Sequence, residues 1–451
     1  MDQSRSVNVQ GFLNDNPFSP FQWIIFALCF LVVLADGFDT AAIGFIAPSL
    51  LKEWGLTRPD LGPVLTAALW GLATGALLSG PLADVIGRKR LLAGAVLMFG
   101  AFCLASSFSQ SLSQLVALRF LTGLGLGAAM PNAITIMSEF CPDGKRATLT
   151  NAMFCGFPLG AALGGFLAAW MIPNFGWRSV LELGGIAPLV LAVFLFAAMP
   201  ESVRYLVARA QPAERIRALL GRIAPVPAEA QSFVMSEAAP TGGGASGPAI
   251  VVSSSYVVGS LMLWLTYFMG LVIFYALINW MPLLFKDAGL DPRTATLISA
   301  LFPLGGCGAI LSGWLMDRFN ANRIIAFCYA LTAVFVFAIG QASGSIGLLM
   351  LFVFVGGALM NTAQSSMGAL AAAFYPTQGR ATGVAWMLGV GRFGGIAGPT
   401  LVAYLSRENL GFATIFTYVA IPGLIAAAAL LVKQFVHPEN KAAAAGGALA
   451  H

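Results

Sequence analysis

The sequence predicts an all-α polytopic membrane protein, with twelve transmembrane helices in two six-helix pseudo-repeats and both termini cytoplasmic. Three observations lead there. Only 10% of the 451 residues are charged and 58% are apolar, with a mean hydropathy of +0.83, whereas a soluble domain is about 25% charged. Twelve apolar runs approach the roughly 20 residues that a helix needs to cross a bilayer. Two sequence patterns also recur at offsets of 233 and 234 residues. The first observation alone excludes a water-soluble enzyme.

The opening stretch, MDQSRSVNVQGFLNDNPFSP, is polar and lacks the basic head and short apolar core of a secretory leader, so 1–21 reads as a retained cytoplasmic segment. A first bundle covers 22–199, with runs near 22–47, 61–83, 91–110, 114–138, 148–171 and 180–199. Hydropathy then breaks over 200–255, a cytoplasmic linker in which PESVRYLVARAQPAERIRALLGRIAP reads as a basic amphipathic helix and PTGGGASGP as a flexible connector. A second bundle covers 256–436, with runs near 256–281, 294–316, 324–341, 345–373, 381–404 and 413–436, and 437–451 is a cytoplasmic tail. With both ends inside, sixteen of the 24 lysines and arginines fall in inside segments and six in outside ones, leaving Arg119 and Arg392 within the membrane. That bias supports the twelve-helix count with both ends inside. The net charge of +5 is therefore a topology signal and not a nucleic-acid footprint. The six cysteines form no CxxC pair and five of them sit in apolar runs, where they read as small buried residues. Both histidines, His437 and His451, lie at the C-terminal end, and no metal or cofactor is expected.

The internal repeat rests on two matches. FCPDGKRAT at 140–148 aligns with FYPTQGRAT at 374–382, which sets Arg146 over Arg380, and GPLADVIGRKR at 80–90 aligns with GWLMDRFNANR at 313–323, which sets Asp84 over Asp317. Matching motifs on one side of the membrane are what two halves related by an axis along the membrane normal produce. In the turn between helices 2 and 3, Gly80 and Gly87 permit close backbone approach, Asp84 can accept from donors at a neighbouring helix end, and Arg88 holds the loop inside. A basic cluster is also what topology alone demands; the acid with flanking glycines, echoed by Asp317 and Arg318, favours a gate. Glu139, at the inner end of helix 4, reads equally as part of that gate or as a solvated helix end.

Ionisable residues in the lipid zone cost about 2.5–3.5 kcal/mol each on insertion scales, so by default they face a cavity and work there. Helix 1 carries Asp36 and Asp39 at i, i+3 on one face, helix 4 carries Arg119 and helix 11 carries Arg392. At about 1.5 Å per residue all four lie at depths that let them line one central cavity. A static Asp–Arg pair joining helices 1 and 4 is the alternative for Arg119. Two carboxylates and two guanidiniums cancel, so a bound monoanion leaves the site at −1 until a proton joins an aspartate. Proton-coupled uptake of an organic anion follows, with Arg392 and Arg119 as anion ligands and Asp36 or Asp39 as the proton carrier. Arg392 is flanked by Gly389, Gly391, Gly394, Gly395 and Gly398, which allow bending or close packing. The alternating Gly123, Gly125 and Gly127 of helix 4 read as small-residue packing. Helix 7 is rich in aromatics; Trp264, Phe268 and Tyr275 form a stripe that can stack on a planar ring, with Asn279 as its lone amide. The same residues also suit ordinary core or lipid-facing positions.

GPLADVIGRKR resembles the loop 2–3 signature of the major facilitator superfamily, and PESVRYL at 200–206 is similar to the PESPR-type sequence that ends helix 6 in many members, with Val203 replacing the proline. Four further segments, LADGFDTAAIGFIAPSL (34–50), LRFLTGLGLGAAMPNA (118–133), MLWLTYFMGLVIFYALINWMP (262–282) and FYPTQGRATGVAWMLGVGRFGGIAGP (374–399), resemble the aromatic acid:proton symporters, and most of all those for 4-hydroxybenzoate and protocatechuate. The resemblance implies a proton-driven importer of small aromatic carboxylates in a bacterial inner membrane, and the reading adopted is an alternating-access symporter that functions as a monomer. It places that family's helix 1 acids on Asp36 and Asp39 and its arginines on Arg119 and Arg392. Proton-antiport efflux of aromatic compounds and a transporter-like sensor of aromatic acids are the competing readings. No nucleophile, metal set or phosphate loop supports an enzyme.

Overall fold

The computed structural model describes residues 6–227, 230, 232–234, 247–306, 320–342, 344–375 and 377–437. At several of its long helices, caps rather than the loss of hydropathy set where the helix begins or ends. Pro20–Trp54 starts at Ser19, whose hydroxyl accepts from the Gln22 N–H while the Gln22 side chain accepts from the Ser19 N–H at 2.8 Å. It stops at Gly55, which takes the left-handed φ of 63° and donates to the Leu51 carbonyl. The helix is thus 35 residues long, longer at both ends than its apolar run. Asp291 with Pro292, Asn320 and Ser345 start Pro292–Leu304, Ala321–Gln341 and Ile346–Phe374 in the same way.

Ten described helices are long and apolar enough to cross a bilayer. The remaining two expected spans are Pro292–Leu304, which runs towards residues outside the description, and Thr377–Arg407, whose 31 residues include Arg392 and a run of glycines. The fifth span is broken at Cys155 into Asp143–Phe154 and Gly156–Phe175. Side chains that a soluble protein would bury face outward: Leu77 is 78% and Phe435 84% exposed, as lipid contact requires.

The chain divides into two compact units, Met1–Leu56 with Pro63–Thr241, and Thr57–Gly62 with Gly242–His451. In the first, Pro20–Trp54 packs on Gly156–Phe175, and Arg88–Ser107 packs on both Leu112–Glu139 and Arg178–Ala198. In the second, Val257–Asp287 packs on Thr377–Arg407, and Ala321–Gln341 packs on both Ile346–Phe374 and Phe412–Val436. The pairing of first with fifth helix, and of third with fourth and sixth, therefore recurs in the other unit, as an internal repeat demands. Glycines permit the closest approaches: a Cβ on Gly37 would collide with the Phe157 carbonyl, and one on Gly160 with that of Leu34.

One expectation needs correction. The linker is not one amphipathic helix but two short ones, Val203–Ala208 and Ala213–Leu220. Pro212 cannot continue a helix begun before it, and Ala210 turns the chain with a φ of 48°. The N-terminal segment, though polar in sequence, is also built into the first unit. Ser6–Asn8 pairs in parallel with Ser232–Val234, in the register Val7 to Phe233, and Val9–Asp15 follows as a helix capped by the Asn8 side chain. Val9, Phe12 and Leu13 are buried, and the first two join Leu206, Ile216, Leu220 and Phe233 in one apolar cluster with the ends of the spanning helices. Burying each large side chain contributes about 1.5–3 kcal/mol, enough to hold a short polar-looking segment in place. The GWLMDR echo with Asp317 and Arg318, and most of the PTGGGASGP connector, lie outside the described residues.

Candidate functional site

The helix 1 acids and the helix 4 arginine meet inside the first unit. Asp39 on Pro20–Trp54 receives both ends of the Arg119 fork from Leu112–Glu139, Nη1 to Oδ1 at 2.8 Å and Nη2 to Oδ2 at 2.6 Å. Cys103, on the neighbouring Arg88–Ser107 helix, adds its thiol to Asp39 Oδ1 at 3.1 Å. Both side chains of the pair are 0% exposed, so charge matching here is obligatory. Both Nη groups of Arg119 are thus engaged by Asp39, as in the static-pair alternative, and the buried pair ties the first and fourth spans together. Asp36 lies one turn earlier, buried, and accepts from the Thr40 hydroxyl at 3.4 Å. The helix 4 glycines do pack: Cβ atoms on Gly123 and Gly127 would strike the Ala68 and Leu72 carbonyls, and one on Gly125 would strike Ala95 and Phe99. That close packing holds Leu112–Glu139, and Arg119 with it, against its neighbours.

A second charged cluster sits at the Glu139 end of the same helix. Arg88 forms an ion pair with Glu139, and the Ser202 hydroxyl donates to the other Glu139 oxygen. Next to it, Glu201 accepts from the backbone N–H groups of Arg88 at 2.9 Å and Lys89 at 3.1 Å. Glu201 thus does for Arg88–Ser107 what its own N-cap, Gly87, cannot do without a side chain. Gly87 itself has a φ of 95°, and a Cβ there would run into the Glu201 carboxylate. The glycine in the loop 2–3 pattern and the acid of PESVRYL are in effect one structure. Glu139 belongs to this network and is no solvated helix end. Arg146 goes elsewhere: it pairs with Asp143 at 2.8 Å, donates to the Ser138 carbonyl at 3.0 Å, and reaches Gln10 of the N-terminal helix at 3.0 Å. Nearby, burial pushes the Cys141 thiol up to about 11, so it stays protonated and unreactive. The side chains of Asp84 and Arg380 lie outside the description, as Asp317 and Arg318 do entirely. Gly87→Ala is expected to cost about 1–3 kcal/mol for backbone strain alone, read as a lower melting temperature in detergent, whereas Gly144→Ala, where a Cβ meets open space, leaves it unchanged.

In the second unit, Arg392 projects from Thr377–Arg407, partly buried, beside the Tyr267 ring of Val257–Asp287. Among the described residues it has neither a carboxylate at ion-pair distance nor a hydrogen-bond partner. The glycines around it bring the two helices together. Cβ atoms on Gly391, Gly394 and Gly398 would collide with Tyr267, the Phe268 carbonyl and the Val272 carbonyl, and one on Gly395 would press on the Tyr275 ring at 3.0 Å. Gly389 faces open space. The predicted aromatic stripe lies along this seam: Trp264 meets Trp386 edge-on at 5.8 Å, and Tyr275 is buried at 5% exposure. Asn279 is buried and donates back to the Tyr275 carbonyl at 2.8 Å, a bond within its own helix. Near Tyr267 lies Gln364, from Ile346–Phe374, which accepts at Oε1 from the hydroxyl of Tyr329, from Ala321–Gln341, at 2.7 Å.

The Major Facilitator Superfamily model matches residues 29–339 and 263–450, which together span both units. The chain belongs to this superfamily. It is 52% identical to the 4-hydroxybenzoate transporter PcaK of Pseudomonas aeruginosa, over 95% of this chain and 96% of that protein. It is 45% identical to a gallate transporter of Pseudomonas putida, over 94% of each. The inward open xylose transporter XylE from E. coli shares the fold, with a TM-score of 0.73 at 18% identity over 93% of this chain and 97% of that one.

For a member of the major facilitator superfamily, the two units thus hold different things. The first holds Asp36, Asp39 and Arg119 with the pair closed, and the network of Arg88, Glu139 and Ser202. The second holds Arg392 with Trp264, Phe268 and Tyr275 along one helix seam. Sequence reasoning missed Cys103, Glu201, Tyr267, Gln364 and Tyr329 as members of these clusters. Glu201 was visible only as the acid of PESVRYL, and Gln364 only as a neutral amide in a long apolar run.

Proposed function

We propose that this protein imports small aromatic carboxylates together with protons, by alternating access, across a bacterial inner membrane, working as a monomer and performing no chemistry on its cargo. 4-Hydroxybenzoate and protocatechuate are the first candidates. The observation that carries the reading is Arg392: a partly buried guanidinium with no protein anion among the described residues, in a chain half identical over its length to a named 4-hydroxybenzoate transporter. A fork of this geometry binds a carboxylate through two parallel hydrogen bonds, which a lysine cannot reproduce. The aromatic seam of Trp264, Phe268 and Tyr275 offers ring faces beside it.

On the proton side, Asp36 and Asp39 are the acids within reach of the translocation path in this reading. A proton placed on Asp39 would remove the charge that both Arg119 hydrogen bonds depend on, so proton arrival and rearrangement of the first and fourth spans become one event. Arg88, Glu139, Ser202 and Glu201 form a cytoplasmic latch that such a rearrangement would open and close. Accumulation of labelled 4-hydroxybenzoate in cells expressing the protein, with and without a proton uncoupler, tests direction. Import predicts that the uncoupler lowers cell-associated label; a proton-driven exporter predicts that it raises it.

A further inference from the structure

Gln364 places a neutral amide with a buried, unmatched nitrogen in an apolar span of the second unit. It sits in Ile346–Phe374, a span whose mean hydropathy over its most apolar window is 2.0. Its Oε1 takes the Tyr329 hydroxyl proton at 2.7 Å. Its Nε2, which carries two N–H donors, is buried without a hydrogen-bond partner among the described residues. The Tyr267 side chain lies near enough to the amide to interact with it, but makes no hydrogen bond of good geometry to that nitrogen. An unmatched buried donor costs about 1–3 kcal/mol, and a leucine here would avoid that cost. The fold instead makes room for the amide: Gly270 lies where a Cβ would collide with Gln364 Oε1 and stand 2.6 Å from the Tyr329 hydroxyl.

The position of this cluster indicates its purpose. Gly391, next to Arg392, packs on the Tyr267 ring, and Gly270, one turn on from Tyr267, packs on Gln364, so the two polar groups belong to one neighbourhood of Val257–Asp287. A hydroxylated aromatic acid is polar in the same pattern, with an anion at one end, an apolar ring in the middle and a phenolic oxygen beyond it. Arg392 matches the anion and Gln364 Nε2–H matches the phenolic oxygen. With Oε1 accepting from the Tyr329 hydroxyl, the two Nε2 donors are left for another acceptor.

We propose that Gln364 reads the ring hydroxyl of the cargo, donating from Nε2 to the phenolic oxygen while Arg392 holds the carboxylate, with Tyr329 as the positioning residue behind the amide. The proposal rests on the aromatic-acid reading above and deepens it: hydroxylated benzoates are selected over benzoate itself. A site built to hydrogen-bond a substrate hydroxyl discriminates far more strongly than one that merely fits a ring.

The test is equilibrium binding of 4-hydroxybenzoate and of benzoate to the purified full-length protein in lipid nanodiscs, for the wild type, Gln364→Leu, Gln364→Met and Tyr329→Phe. The wild type is expected to prefer 4-hydroxybenzoate. Gln364→Leu should weaken 4-hydroxybenzoate about tenfold to a hundredfold and move benzoate by less than about threefold, collapsing the preference. Gln364→Met, which keeps the length and flexibility of the side chain, should do the same and carries the test if the leucine variant does not fold. Tyr329→Phe should lower the preference by a smaller factor, again with benzoate unmoved, which a merely structural role would not produce. A Gln364 variant that keeps the wild-type preference, or that loses both ligands equally, overturns the proposal and leaves aromatic-acid binding standing. A wild type that binds neither acid overturns the aromatic-acid reading itself.

Discussion

Arg392→Ala is expected to weaken binding of aromatic carboxylates about a hundredfold or more while the protein remains folded. The two halves of that expectation have separate physical grounds. Binding suffers because a charge-assisted, two-pronged contact to a carboxylate is lost, and truncating one partner of such a contact costs about 2–5 kcal/mol. Folding survives because Arg392 has no ion pair or hydrogen bond to lose among the described residues, and because Gly391, Gly394, Gly395 and Gly398, not the arginine, set the approach of Thr377–Arg407 to Val257–Asp287. Arg392→Lys should recover part of the affinity through charge alone, but not the bidentate geometry. Binding measured by isothermal calorimetry, with melting temperature alongside, decides the matter. An alanine variant that binds normally removes Arg392 from the site; one that binds nothing because it melts early shows a structural arginine instead.

The Asp39–Arg119 pair is expected to behave in the opposite way. Replacing either partner alone, by Asp39→Asn or Arg119→Gln, strands a charge that is 0% exposed in the wild type, and breaking a buried pair from one side costs about 3–5 kcal/mol. The double substitution should recover much of that stability, since two neutral amides can hydrogen-bond each other without an orphaned charge. Melting temperatures of the four proteins form a double-mutant cycle, and a coupling near zero would contradict a buried pair. Transport separates the pair from its structural role: the double variant is expected to bind the aromatic acid and exchange it across the membrane, but no longer to concentrate it with a proton gradient. Full proton-driven accumulation by the double variant would move the coupling role to Asp36.

The contrast between these arginines marks the limit of what the sequence could reveal. Charge in an apolar span is conspicuous, so Asp36, Asp39, Arg119 and Arg392 were all legible as special. Which arginine is occupied and which is open was not, because it depends on how helices from distant parts of the chain rotate against one another. The twelve spans and the repeat were legible because hydropathy and motif offsets are local properties. The extension of Pro20–Trp54 was not, since the helix ends where Ser19 and Gly55 cap it and not where the apolar run stops. The pairing of Ser6–Asn8 with Ser232–Val234 joins segments more than 220 residues apart through three residues each, too few for any pattern to show. Glu201 was noticed as part of a motif, but its work as the N-cap of Arg88–Ser107 becomes visible only when the two loops are brought together. Gln364 carried no charge to draw attention, and its significance comes from an unmatched donor that only coordinates reveal.

The central claim, proton-driven import of an aromatic acid, is tested most directly with purified protein in liposomes under an imposed inward proton gradient, following labelled 4-hydroxybenzoate over time. The account predicts accumulation inside above the external concentration, competition by protocatechuate, and collapse to equilibrium when an uncoupler is added. Saturable binding without flux, or a proton gradient that drives the label outward against its direction, would contradict it.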